Sequence, residues 1–220
     1  ELAAQTVKRV ALELGGKSAA VILDDADLAA AVRGTVNACF LNSGQTCTAH
    51  TRLLVPESRY AEAAKLAAEA AARFTVGDPF AETSKLGPVI SAAQRDRVQD
   101  FIRKGIAEGA ELLCGGPDAP AGLTKGYYVQ PTVFGRVRPG SSIEQEEIFG
   151  PVLSIVTYHD EDEAARIANG TPYALTGGFY SRSPENIEKV KQRFRVGNLY
   201  INRKITGALV GIHPFGGFNM

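Results

Sequence analysis

Two short stretches carry side chains that could do chemistry together: Gly44-Gln45-Thr46-Cys47 and Glu13-Leu14-Gly15-Gly16-Lys17. The first sets one thiol behind a glycine and two small polar residues. The second sets one carboxylate in front of two glycines that cannot shield it. A thiol attacks carbon as the thiolate, so it needs a partner that removes its proton. A carboxylate held nearby can take that proton, or later take one from water. The pair points to covalent catalysis on a carbonyl carbon.

Plainer readings compete. An intracellular cysteine is most often a buried apolar filler. Cys39, beside Phe40 and Leu41 on an apolar helical face, suits that reading, as does Cys114 in a brief apolar run. The polar, glycine-flanked neighbours of Cys47 do not. His50 follows three residues after Cys47 and raises a thiol hydrolase dyad, but such enzymes usually bring the histidine from far along the chain. A surface or strand-entry histidine is the better expectation. No second His/Cys pair stands at the spacing of a four-coordinate metal site, so a metal is not expected. Gly16-Lys17-Ser18 resembles the end of a phosphate-binding loop, yet Ala11 stands where that loop needs glycine. A strand rather than a helix also follows.

The elements that must position these residues are legible from pattern. Residues 10–12 and 18–23 read as apolar strands. Asp24 to Asp27 supply carboxylates for the start of a helix reaching about residue 41, and Asn42-Ser43-Gly44 ends it just before Cys47. A strand over 51–55 and an Ala-rich helix over 57–74 follow, with Tyr60, Ala64, Ala67 and Ala71 along one face. After a loop over 77–87, a helix over 91–108 turns Val98, Ile102 and Ile106 inward. Residues 112–114 form a short strand, 117–126 a loop, and 127–137 a strand interrupted at Pro131. From 152 onward, strands at 152–158, 175–180 and 198–202 alternate with helices at 162–169 and 184–195. That alternation predicts an α/β fold, a mostly parallel sheet with flanking helices.

Lys plus Arg and Asp plus Glu number 24 each in 220 residues, so no global charge calls for nucleic acid or an anionic membrane. No apolar run approaches the length of a membrane span. Three cysteines without Cys-x-x-Cys spacing fit a reducing, cytoplasmic setting, a mitochondrial matrix included.

Val10-Ala11-Leu12-Glu13-Leu14-Gly15-Gly16-Lys17 and Gly44-Gln45-Thr46-Cys47 resemble the glutamate and cysteine signatures of the aldehyde dehydrogenase superfamily. Glu146-Glu147-Ile148-Phe149-Gly150-Pro151 is similar to a third family motif. The resemblance implies Cys47 as nucleophile and Glu13 as general base, with Leu14 and Gly15 along the nicotinamide of NAD, or of NADP. It implies Glu147 on the nicotinamide-ribose hydroxyls and Phe149 beside that ring. The wording from Gly197 to Gly217 looks more like the branch that oxidises glutamate semialdehyde in proline catabolism. There Gly207 and Ala208 would offer N–H groups to a substrate carboxylate, with Phe215 packed on its chain. Thr48 stands where that branch usually has serine.

A broad-specificity or coenzyme A-acylating relative, or a non-catalytic structural domain, are the alternatives. The resemblance covers part of the family's chain. Residues 1–15 are therefore expected to be the tail of a cofactor-binding domain and 16–220 the catalytic thiol domain. The intact protein is expected to be a homo-oligomer acting on a small aldehyde.

Overall fold

A computed structural model of the chain describes residues 2–8, 12–205, 208–209, 212–213 and 216–217. The apolar runs become β1 (Ser18–Ile22), β2 (His50–Pro56), β3 (Glu111–Cys114), β4 (Thr132–Gly135), β5 (Val152–Tyr158), β6 (Thr176–Tyr180) and β7 (Asn198–Ile201). Between them lie α1 (Leu28–Phe40), α2 (Tyr60–Ala71), α3 (Ala92–Ala107), α4 (Ser142–Gln145), α5 (Glu161–Ala168) and α6 (Pro184–Arg193). One seven-stranded sheet forms in the order β3-β4-β5-β2-β1-β6-β7. Every neighbouring pair is parallel except β3 with β4. The expected α/β architecture with flanking helices is what the chain adopts.

Successive strand residues point to opposite faces, and both faces are apolar because both are covered. Leu53, Val55, Leu153 and Ile155 pack on Val32, Val36 and Phe40 of α1 and on Ala63, Ala64 and Ala67 of α2. Leu54, Val152, Val156 and Phe179 pack on the opposite layer with Val98, Ile102, Ile143, Ile167 and Phe194. Helix starts follow local chemistry, because side-chain oxygens take the orphan N–H groups of the first turn. Asp27 accepts from Ala30 N (3.0 Å), Ser91 from Gln94 N (3.2 Å) and Asp160 from Glu163 N (2.8 Å).

Several boundaries differ from the sequence expectation. The helix after β1 starts at Leu28, because Asp27 caps it. Residues 127–131 stay outside the sheet, and β4 begins only after Pro131, which has no N–H for a ladder. Ile106 is 43% exposed rather than inward. Val10 and Ala11 of the expected first strand lie outside the described residues, and Leu12 is in no strand. The short α4 carried no periodic signal.

An ion pair ties the layers together. Arg52 donates to Glu144 (2.6 Å), with both side chains buried. Its remaining donors reach the carbonyls of Lys17, Ile167 and Ala168 at 2.8–2.9 Å. The guanidinium therefore closes the C-terminus of α5, where the helix dipole favours a cation.

Candidate active site

The singled-out residues lie at the amino ends of the central parallel strands. Glu13 to Lys17 lead into β1, the Cys47 turn into β2 and the Glu147–Phe149 segment into β5.

The Cys47 turn is built from its own polar residues. After α1 the chain makes a 3-10 turn over Leu41–Gly44, with Asn42, Ser43 and Gly44 at φ 52°, 55° and 77°. The Gln45 side chain donates to Asn42 O (3.1 Å) and accepts from Ile90 N (2.9 Å). The Thr46 hydroxyl donates to Leu41 O (3.3 Å). The two residues before Cys47 are thus struts. Gly44 is required twice over: its φ is left-handed, and a Cβ there would sit 2.1 Å from Gly150 O.

The Glu13 segment crosses this turn at contact distance. A Cβ on Gly16 would lie 2.1 Å from Cys47 O, and one on Gly15 would lie 2.7 Å from Glu147 Oε2. Glycine at both places lets one backbone slide between the thiol turn and the Glu147 carboxylate. The Gly16 N–H then donates to Glu147 Oε1 (2.9 Å), joining residues 131 apart in sequence. Glu13 is exposed, and Leu14 is 37% exposed.

Helix α3 holds the third segment. Gln94 Nε2 donates to Ile148 O (3.0 Å) and Phe149 O (2.8 Å), and Arg97 donates to Glu147 O (2.7 Å). These contacts keep Phe149 at φ 58°, unusual for an aromatic residue. Thr48 presents its carbonyl to the Thr176 hydroxyl (3.3 Å), which pairs with Ser18 Oγ (2.6 Å). Ala208 donates its N–H to the Tyr200 hydroxyl. Gly207 and Phe215 lie outside the described residues.

Comparison with known proteins decides the family. The aldehyde dehydrogenase family model matches residues 1–220. The chain belongs to the aldehyde dehydrogenase family. A Pseudomonas 3-succinoylsemialdehyde-pyridine dehydrogenase is 49% identical over 216 residues, 98% of this chain and 45% of that protein. Aldehyde dehydrogenase C from Pseudomonas syringae, solved with NAD+ and octanal, superposes with a TM-score of 0.91 at 46% identity. It is matched over 98% of this chain and 44% of its own. A variant of 1-pyrroline-5-carboxylate dehydrogenase from Thermus thermophilus gives a TM-score of 0.86 at 45% identity, over 94% of this chain and 39% of its own. The chain therefore spans less than half the length of these relatives.

Electrostatics separate the thiols of this aldehyde dehydrogenase chain. Burial pushes Cys39 up to about 12, in keeping with a filler. Burial raises Cys114 as well. Cys47 is half-buried; burial and then the Glu13 charge raise it, while the N–H groups of Cys47 and Thr48 oppose them. The balance leaves the Cys47 thiol above its ordinary value, with burial the leading cause.

Sequence reasoning missed three neighbours of the site. Tyr200 holds Ala208 through its hydroxyl. Lys17 is 2% exposed, and its Nζ has no hydrogen-bond partner among the described residues. Its burial could not be read from a motif in which it looks like an ordinary surface lysine. His50 does start a strand but is wholly buried, with neither ring nitrogen bonded among the described residues. Gly178 makes room for the ring, since a Cβ there would fall 2.3 Å from its Cε1. No cluster of metal-binding side chains occurs among the described residues.

Proposed function

We propose that this chain supplies the thiol-bearing part of a longer NAD-dependent aldehyde dehydrogenase, oxidising an aldehyde to a carboxylic acid. The observation that carries the reading is the double-glycine crossing, which brings Glu13, Cys47 and Glu147 to one end of the sheet. Residues 1–15 would belong to the cofactor-binding domain and 16–220 to the catalytic domain.

The residues present fit a nicotinamide cofactor. The Glu147 carboxylate accepts one backbone N–H and keeps lone pairs for vicinal hydroxyls. A cradle that a Cβ would fill lies beside it at Gly15, and the partly exposed Leu14 and Phe149 give apolar surface. NAD, when bound, supplies the hydride acceptor. In this reading Glu13 takes the Cys47 proton, the thiolate adds to the aldehyde carbon, and the hydride leaves that carbon to give a Cys47 thioester. Once Glu13 has released that proton to solvent, it takes one from the water that attacks the thioester carbon, the C–S bond breaks, and the acid leaves with Cys47 as thiolate. The exposed carboxylate close to the thiol favours water as the acyl acceptor over coenzyme A.

The finer reading is glutamate semialdehyde as substrate, in a cytoplasmic homo-oligomer. Its support is Ala208, whose backbone N–H reaches the Tyr200 hydroxyl, together with the resemblance of residues 197–217 to the branch that oxidises glutamate semialdehyde. Glu13→Gln tests the mechanism: intact-protein mass spectrometry after aldehyde and NAD should show an acyl group retained on Cys47. An adduct-free protein that still turns over would sink the assignment. For the substrate, kcat/KM should favour glutamate semialdehyde over butanal. The reverse order leaves the general aldehyde oxidation alone.

A further inference from the structure

The turn that carries Cys47 is gripped at successive peptide planes. Ala49 N donates to Thr46 O at 3.0 Å, which makes Cys47 and Thr48 the two central residues of a β-turn. The Thr48–Ala49 peptide is planar, so that bond at its N–H and a second at its carbonyl fix its direction together. The second comes from Thr176, the first residue of β6, whose hydroxyl donates to Thr48 O at 3.3 Å. A hydroxyl has one proton to give. In the 2.6 Å contact between Ser18 Oγ and Thr176 Oγ1 the donor is therefore Ser18. Ser18 and Thr176 are both buried. Ser18 opens β1, which lies between β2 and β6 and follows the double-glycine crossing. The preceding peptide, between Cys47 and Thr48, is fixed from the other side by the close approach of Gly16 to its carbonyl. With both planes set, the N–H groups of Cys47 and Thr48, which do not close the turn, face the Cys47 thiol and favour its ionised form against burial.

We propose that Ser18 and Thr176 are a positioning pair for the nucleophile: the chain of donors from Ser18 to Thr176 to the Thr48 carbonyl holds the Cys47 turn with its central N–H groups on the reacting thiol. The inference rests on the reading of Cys47 as the nucleophile. The pair acts through the Thr48 peptide. Because Ser18 belongs to the strand that Glu13 to Lys17 lead into, the same hydroxyls set the height of the thiol turn against that segment. The rest of β1 is apolar and buried, so its polar residue stands at the end that meets the thiol turn. Burying hydroxyls is costly unless each finds a partner, and here the partner at the end of the chain is the turn itself.

The test follows the rate of Cys47 alkylation by iodoacetamide against pH, read residue by residue by mass spectrometry. It adds kcat, KM for aldehyde and the thermal midpoint, in the full-length protein and in Thr176→Val, Thr176→Ser and Ser18→Ala. Thr176→Val keeps the shape and removes the donor. Its alkylation profile is expected to move up by roughly half a pH unit to one unit, because a thiolate that loses oriented N–H groups is less favoured. Its kcat should fall roughly tenfold with KM little changed, the pattern of a misaligned reacting group. Thr176→Ser keeps the donor, so its profile and kcat should match the unsubstituted protein even though the lost methyl lowers the midpoint. Ser18→Ala leaves the Thr176 donor in place but unoriented, and should move the profile the same way by less. Glu13 and Glu147 on the flanking segments and Tyr200 on β7 are the titratable groups that face this thiol, and none is altered in these variants. If Thr176→Val lowers the midpoint while profile and kcat stay put, or if Thr176→Ser shifts the profile as far as Thr176→Val, the pair is packing alone and the inference fails. If Thr176→Val does not fold, Ser18→Ala decides: an upward shift upholds the inference and an unmoved profile overturns it. If iodoacetamide labels Cys39 or Cys114 of the unsubstituted protein ahead of Cys47, the nucleophile reading falls first and takes this inference with it.

Discussion

At the amino ends of β1, β2 and β5 the chain presses backbone against backbone, whereas at their carboxyl ends it opens a pocket of about 390 Å³. Leu23, Asp24, Asp25, Pro56, Glu57, Tyr158, Asp160 and Glu161 contribute to that pocket. Open α/β sheets usually bind ligands at the carboxyl ends of their strands. Here most polar groups of that end are engaged in ending strands and starting helices, although Asp25 Oδ1 is buried without a partner among the described residues. Asp25 accepts from Ser181 Oγ and from the N–H groups of Arg182 and Ser183, all at 2.8 Å. Asp160 caps α5, and Glu57 pairs with Arg136. The amino end holds a half-buried thiol, the Lys17 amine and His50 ring buried without hydrogen-bond partners among the described residues, and an aromatic residue at positive φ. Strain and unmet polar groups persist only where the surrounding structure enforces them, and they gather at functional sites. The contrast teaches that a pocket is not by itself the better candidate; the thiol turn and the strained, glycine-crossed backbone around it are.

That contrast can be broken at several strengths. The largest effect should come from Cys47→Ala in the full-length protein, with turnover falling on the order of 10⁴-fold or more, as expected for loss of a nucleophile. Asp160→Ala at the opposite end should leave kcat unchanged in the same assay. Comparable losses at both ends would erase the distinction.

Next comes Arg52→Met, which strands Glu144 in the core beneath the amino end. Breaking a buried pair costs about 3–5 kcal/mol, read as a lower urea midpoint. An unchanged midpoint would mean that the network does not brace the site.

A smaller effect belongs to His50, which burial depresses to about 3 from an ordinary value of 6.5. The unfolded chain then binds a proton between those values that the folded chain refuses, so stability falls as pH drops below about 6.5. Between pH 7 and 5 the loss should be about 2 kcal/mol. His50→Leu should make urea midpoints at the two pH values converge. Parallel acid sensitivity in both proteins would place the effect elsewhere.

The smallest is the Asp160→Ala cap itself, about 1 kcal/mol of stability. A loss several times larger would show the carboxyl end to be more than a set of caps.

The amino-acid sequence alone specified the α/β alternation, the helix start at Ser91 and the Cys47 turn, because these depend on neighbours a few residues away. It also determined the family, whose motifs are contiguous. Tertiary structure alone decided which end of the sheet collects those motifs, and that Gln94 and Arg97 of α3 hold the Phe149 turn. It alone decided that the side chains of Lys17 and His50 are buried without hydrogen-bond partners among the described residues. The physical reason is distance along the chain. The Gly16–Glu147 hydrogen bond closes a separation of 131 residues, and no local pattern records whether two glycines are there to turn the chain or to let a remote backbone and carboxylate come close.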